Sequence, residues 1–119
     1  ELGGSVGWDD ESIRVGLEGV MNVLTHYDFL DGTHDPEAQT RATGFEQYGA
    51  HAGGLVSFHA DLGDRIERGD TLFEVTDPFG SVKETVTADT AGVFWRTRRL
   101  PQIATGEYVC SVGTGVDSY

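Results

Sequence analysis

At 119 residues the chain suits one ordinary domain, or one small domain with an appended element. Its formal charge of −12, from 20 acidic and 8 basic residues, argues against nucleic acid or an anionic membrane as a partner, because both repel such a surface. No apolar run approaches the roughly 20 residues of a membrane span, and the single cysteine, Cys110, excludes an intrachain disulfide and favours a reducing, cytoplasmic setting.

Lysine is represented by Lys83 alone, against seven arginines. An acidic, lysine-poor surface is expected of a salt-adapted protein, where screening removes the self-repulsion. Seventeen glycines point to a β-rich unit with many tight turns.

The first predicted element is a helix. In "WDDESIRVGLEGVMNVLTHYDFLDG", residues Ile13, Leu17, Val20, Met21, Leu24 and Tyr27 recur at the three-and-four spacing of one apolar stripe. Asp9 or Asp10 can cap its start, Glu11 favours the first turn, and Asp31-Gly32 offers a glycine stop. Gly16 and Gly19 weaken the helix intrinsically, so packing against another element must hold it. The next stretch, "THDPEAQTRATG", is polar and contains a proline, as expected of a linker.

From about Phe45 onward the sequence repeats. Ala50 aligns with Ala88, Gly54 with Gly92 and Leu62 with Leu100 at an offset of 38. After a one-residue deletion, Gly69 aligns with Gly106, Leu72 with Val109 and Val75 with Val112 at an offset of 37. "TLFEV" and "EYVCSV" alternate with period two, as strands with one buried face do. Two copies of a short-strand unit, each too small for its own core, predict a closed two-fold β structure. With its "LGDRIERGDTLFEV" turn-and-strand stretch, this half of the chain resembles the barrel-sandwich hybrid of the biotinyl/lipoyl domains. Such domains carry their cofactor on an exposed lysine at the tip of the hairpin joining the halves. Here that tip reads Asp77-Pro78-Phe79-Gly80, and Lys83 falls three residues past the glycine, in the returning strand. A swinging-arm role is not expected.

Taken in order, "ELGG", a helix ending in "GVMNVLTHYDFLDG", a polar linker and a lipoyl-like β unit resemble the C-terminal part of the succinylglutamate desuccinylase/aspartoacylase family. The resemblance implies a zinc-dependent deacylase of N-acyl amino acids. It assigns residues 1–32 to the end of a carboxypeptidase-like α/β catalytic domain, 33–44 to a linker and 45–116 to the β-barrel. It also carries the role of general acid/base beside a zinc-bound water onto Glu1, with Gly3 and Gly4 letting backbone approach the substrate. The family's zinc ligands, a His-x-x-Glu pair and a later histidine, precede that glutamate. Zinc is therefore expected in the longer enzyme with none of its ligands here, and the chain alone is expected to be inactive. The substrate implied is a small N-acyl amino acid, and homo-oligomerisation is left open.

One match to the ligand spacing, His34-Asp35-Pro36-Glu37, lies in the linker after Glu1, and Pro36 interrupts any regular helix across it. His26 is expected as a last-turn partner of the helix dipole, and His51 and His59 as strand or surface residues. Cys110 lacks an evident base. Of the adjacent Phe94 and Trp95, one should face the core and the other solvent or the catalytic domain outside this chain. The basic cluster "RTRRL" suits a solvated turn, or failing that an acidic surface or a substrate carboxylate. The alternative to the enzyme reading is a non-catalytic barrel-sandwich binding or adaptor module.

Overall fold

The computed structural model describes residues 7–33 and 40–118. The chain divides into two compact units, Glu1–Gln39 and Thr40–Tyr119.

In the first unit, α1 spans Asp10–His26. Asp9 is the N-cap: its carboxylate accepts from the Ser12 N–H at 3.3 Å and from the Ser12 hydroxyl at 2.8 Å. Arg14 bridges Glu11 at 2.6 Å and Glu18 at 2.7 Å along the solvent side, pairs worth a few tenths of a kcal/mol each. The helix stops six residues before the glycine expected to end it. Asp28 adopts φ 59°, the Phe29 N–H reaches back to the Leu24 carbonyl, and the Asp28 N–H reaches Thr25. This is the Schellman arrangement, with aspartate where glycine is usual, because a short polar side chain tolerates the left-handed conformation. No residue of α1 is buried, and Leu17 and Val20 of its apolar stripe are more than half exposed. An isolated 17-residue helix is marginal in water.

The second unit holds eight strands: β1 Thr40–Gly49, β2 Gly54–Phe58, β3 Arg65–Ile66, β4 Thr71–Thr76, β5 Val82–Thr87, β6 Gly92–Thr97, β7 Gln102–Ile103 and β8 Tyr108–Ser118. Residues 40–44, read from sequence as linker, already belong to β1. The strands form two antiparallel four-stranded sheets, ordered β1-β8-β6-β3 and β5-β4-β2-β7. Adding or subtracting four converts one order into the other, so the repeat is a two-fold relation. The expected closure into a barrel is not found. Among the described residues no ladder joins one sheet to the other, and β3 and β7, at the sheet edges, are two residues long.

The two-fold relation extends to individual bonds. Ala50 donates to the Glu107 carbonyl and accepts from Gly106, as Ala88 donates to Asp70 and accepts from Gly69. Val56 donates to Pro101 as Phe94 donates to Asp64, and His59 donates to Leu72 as Arg98 donates to Val109, a bulge at Trp95 adding one residue to the second half and the loop between His59 and Asp64 two to the first. Gly54 pairs with Ile103 and Gly92 with Ile66. Between the sheets lies one core, including Leu72, Phe73 and Val75 from β4, Phe94 from β6, and Val109, Cys110 and Val112 from β8. Phe58 meets both Phe73 and Phe94 edge-on, at ring separations of 6.3 and 5.9 Å.

Strand β8 does not alternate as expected. Val109, Cys110, Ser111 and Val112 are all buried, because β8 lies between β1 and β6 and Trp95 covers its outer side. The Ser111 hydroxyl accepts from Trp95 Nε1 at 3.1 Å and from the Tyr108 hydroxyl at 3.3 Å, so its burial leaves no unmet polar group.

The close approach at the two related glycines yields a prediction. A Cβ at Gly54 would overlap the Thr76 carbonyl oxygen and stand 2.8 Å from Val75 Cγ1. At Gly92 it would overlap the Gly113 carbonyl oxygen and stand 2.8 Å from Val112 Cγ1. Gly54→Ala and Gly92→Ala should therefore each destabilise the β unit by about 1–3 kcal/mol or more, in place of the small gain alanine gives where it fits. Urea unfolding checks this. A loss confined to one of the two positions would contradict the equivalence.

Candidate functional site

Glu1, with Gly3 and Gly4, and the His34–Glu37 stretch lie outside the described residues. The remaining candidates fall into two groups. In the first unit, His26 stands in the last turn of α1, as expected of a dipole partner, and its ring meets Tyr27 edge-on at 5.0 Å.

In the β unit, the turn joining β4 to β5 is held by Asp77. Its carboxylate accepts from the Phe79 N–H at 2.8 Å and the Ser81 N–H at 2.9 Å, and Phe79 at the tip is 95% exposed. Chiefly the Ser81 bond, with the Phe79 bond added, holds that carboxyl below its ordinary range. Lys83 lies in β5, with Nζ turned to the Gly53 carbonyl oxygen. A lysine bound to backbone away from the tip has neither the position nor the freedom of a carrier lysine.

Each histidine of the β unit meets a carboxylate. His51 Nδ1 lies 2.7 Å from Glu84 Oε1, and the backbone N–H groups of His51 and Ala52 donate to Glu84 Oε2 at 2.8 and 2.9 Å. Burial pushes the Glu84 carboxyl up, but the His51 ring and these two donors outweigh it and hold the group below its ordinary value. Glu84 thus ties the β1–β2 loop to β5. His59 Nε2 lies 3.3 Å from Glu74 Oε2. It also stands at an open groove of about 370 Å³, lined by His59, Ala60, Asp64, Arg65, Ile66, Asp70 and Thr71. His59 is exposed just past β2, in keeping with the expected strand or surface position, and the groove brings it near Asp64, Arg65 and Asp70.

The other expectations resolve by burial. Phe94 is 1% exposed and Trp95 48%, so the pair splits between core and surface, where Trp95 stacks on Phe45 at 6.3 Å. Cys110 is fully buried and its thiol is pushed up to about 12, which suits an inert core residue rather than a nucleophile. Within "RTRRL", Arg96 lies over the Tyr108 ring at 5.5 Å, and Arg98 bonds Glu107 at 3.2 Å and the Leu100 carbonyl at 3.0 Å. Among the described residues no three or more His, Cys, Asp or Glu side chains gather as a group that could hold a metal ion. No helix of the described residues is long and apolar enough to cross a membrane.

No family model matches the sequence, and no curated protein matches it. Solved structures do match. A succinylglutamate desuccinylase/aspartoacylase family protein from Shewanella amazonensis SB2B superposes with a TM-score of 0.81 at 17% identity, over 100% of this chain and 35% of that one. A succinylglutamate desuccinylase from a Silicibacter species gives 0.77 at 26% identity, over 98% of this chain and 37% of that one. The ectoine utilization protein EutE (DoeB) from Ruegeria pomeroyi gives 0.75 at 26% identity, over 96% and 38%. The chain resembles the succinylglutamate desuccinylase/aspartoacylase family. It spans a little over a third of the length of the solved proteins it matches.

The brace on Glu84 sets a pH dependence. Its folded pKa lies below the ordinary 4.5, so its stabilising contribution is fully present above 4.5 and is lost as pH falls through the folded value. Glu107, held low first by the Ala104 N–H and then by Arg98, acts in the same sense. The β unit should hold its stability from neutral pH down to the ordinary carboxylate value of 4.5 and lose it progressively below that. Glu84→Gln should be less stable at neutral pH and show a shallower acid slope in thermal unfolding. An unchanged slope would remove Glu84 from this role.

Proposed function

We propose that this chain is the C-terminal portion of a zinc-dependent deacylase that hydrolyses the amide bond of an N-acyl amino acid. The observation supporting this most directly is that helix and β unit together match family members across 96–100% of the chain while spanning 35–38% of theirs. On this reading the eight strands are a barrel-sandwich hybrid domain, supported by sheet orders that interconvert by a shift of four strands. The exposed stripe of α1 belongs to a catalytic domain outside this chain.

Zinc, when bound in the longer enzyme, would supply the activated water. On the family resemblance, its ligands precede Glu1. Glu1 takes a proton from the attacking water and returns it to the leaving amine. The β unit shapes the approach to the site. A product-bound structure of EutE (DoeB) supports a small-molecule substrate. The lone Cys110, held as a buried thiol, fits a cytoplasmic location, and the charge of −12 fits salt adaptation.

The test is made in the protein that carries the complete catalytic domain. Glu1→Gln keeps the shape of the side chain but cannot accept a proton. It should retain zinc and lose roughly 10²–10⁴-fold in activity on N-acyl amino acids. The loss should fall on kcat more than on KM, because proton transfer belongs to the transition state. Hydrolysis at the parent rate would overturn the assignment, and absence of bound zinc with no hydrolysis in the parent would favour a non-catalytic module.

A further inference from the structure

The outer side of the sheet β1-β8-β6-β3 carries a connected aromatic patch. Phe45 is 56% exposed and Trp95 48%, and their rings stack at 6.3 Å. Gly113 leaves room for the indole: a Cβ there would stand 3.4 Å from Trp95 Cδ2 and 2.9 Å from Ala42 Cβ. Trp95 Nε1 donates to Ser111 Oγ at 3.1 Å, and the Tyr108 hydroxyl reaches the same oxygen at 3.3 Å, so the polar edges of both rings are paired within the chain. The exposed Arg96 lies with its guanidinium over the Tyr108 ring at 5.5 Å. What Phe45 and Trp95 show to solvent is ring carbon, which can be covered without stranding a donor.

The other half of the repeat lacks this patch. Across this sheet Gln47, Ser111 and Arg96 form one row of paired residues, and across the other sheet the same row reads Thr85, Glu74 and Ser57. Trp95 has no counterpart, since it is the extra residue of the bulge between Phe94 and Arg96, and β2 pairs with β4 without a shift. Bulges of this kind re-aim a side chain. No aromatic residue in β5, β4, β2 or β7 is exposed. The two halves share one core and the same loop bonds, so this shape is reached on one side without an outer tryptophan.

We propose that the Phe45–Trp95 face packs against the part of the longer protein that lies outside this chain, with Arg96 meeting a carbonyl or carboxylate there. Aromatic residues and arginine are what the centres of interfaces hold. The chain spans 35–38% of the solved proteins it matches, so on the fragment reading most of the polypeptide is available to cover this face. A second copy is the poorer occupant, because two chains of charge −12 repel one another. A guanidinium lying over a ring can reach an acceptor across the contact while its cation keeps the ring beneath it. The other sheet, with Glu74 at the same place in its row, stays in solvent. This placement rests on reading the chain as part of a longer protein, and not on zinc or on hydrolysis.

Hydroxyl-radical footprinting read by mass spectrometry is run on the 119-residue chain and on the protein that carries the complete catalytic domain. Phe45 and Trp95 should oxidise readily in the chain and roughly fivefold more slowly in the longer protein, as residues at an interface centre do. Phe79, 95% exposed at the β4–β5 turn, should oxidise equally in both. Phe45→Ser should leave thermal unfolding of the chain nearly unchanged, yet raise Trp95 oxidation in the longer protein roughly threefold by opening the contact. Trp95→Ser also uncovers Ser111 and can unfold the unit, so Phe45→Ser is the variant that decides. Zinc content and hydrolysis are measured on the same longer protein. Without them the deacylase reading fails, while protection of Phe45 and Trp95 would still uphold the packing. Equal oxidation of both residues in the two proteins, or a Trp95 rate untouched by Phe45→Ser, would overturn the proposal. Protection that appears in the chain alone and grows with its concentration would overturn it in favour of a second copy.

Discussion

Strands β2 and β6 each begin on a glycine pressed against a backbone carbonyl of the neighbouring strand, Gly54 on Thr76 and Gly92 on Gly113. No side chain fits at either place, and the contact recurs with the same valine position beside it, Val75 in one half and Val112 in the other. This approach starts β2 beside β4 and β6 beside β8 in a fixed register. It lets Val56 and Phe94 donate to the loops opposite, and Phe94 then meets Phe58 in the shared core. Neither half has enough apolar surface for a core of its own. The close approach is what makes two short-strand units into one interior.

That interior bears on where chemistry can reside. Cys110 is sealed in it, His51 is committed to a carboxylate that braces a loop, and Lys83 is turned to a backbone carbonyl. The β unit therefore presents surface rather than a catalytic constellation. The hydrolytic role we propose rests on Glu1 and on a catalytic domain outside the chain. A scaffold of this kind fits family members in which the matched region is a little over a third of the protein.

Much of the fold was legible in the sequence because it is carried by residues with few alternatives. The offset between Gly54 and Gly92 marked the repeat, and the aspartate-rich start of the helix marked its cap. The helix stop was misplaced because Asp28 does at the C-terminus what a glycine search would not find. Burial of four successive residues in β8 could not be read from alternation, since it depends on Trp95 lying over Ser111. Closure was over-read: a two-fold repeat of short strands dictates a shared core, but not that the sheet edges pair.

The claim that two halves form one cooperative interior is tested most directly by native-state hydrogen exchange on the whole chain. The amides of Ala50, Gly106, Ala88 and Gly69, two related pairs of bonds, should exchange only with global unfolding of the β unit and share one opening free energy, while those of α1 exchange far faster. If the Ala88 and Gly69 amides opened at a distinctly lower free energy than Ala50 and Gly106, the halves would be separate units and the account would be wrong.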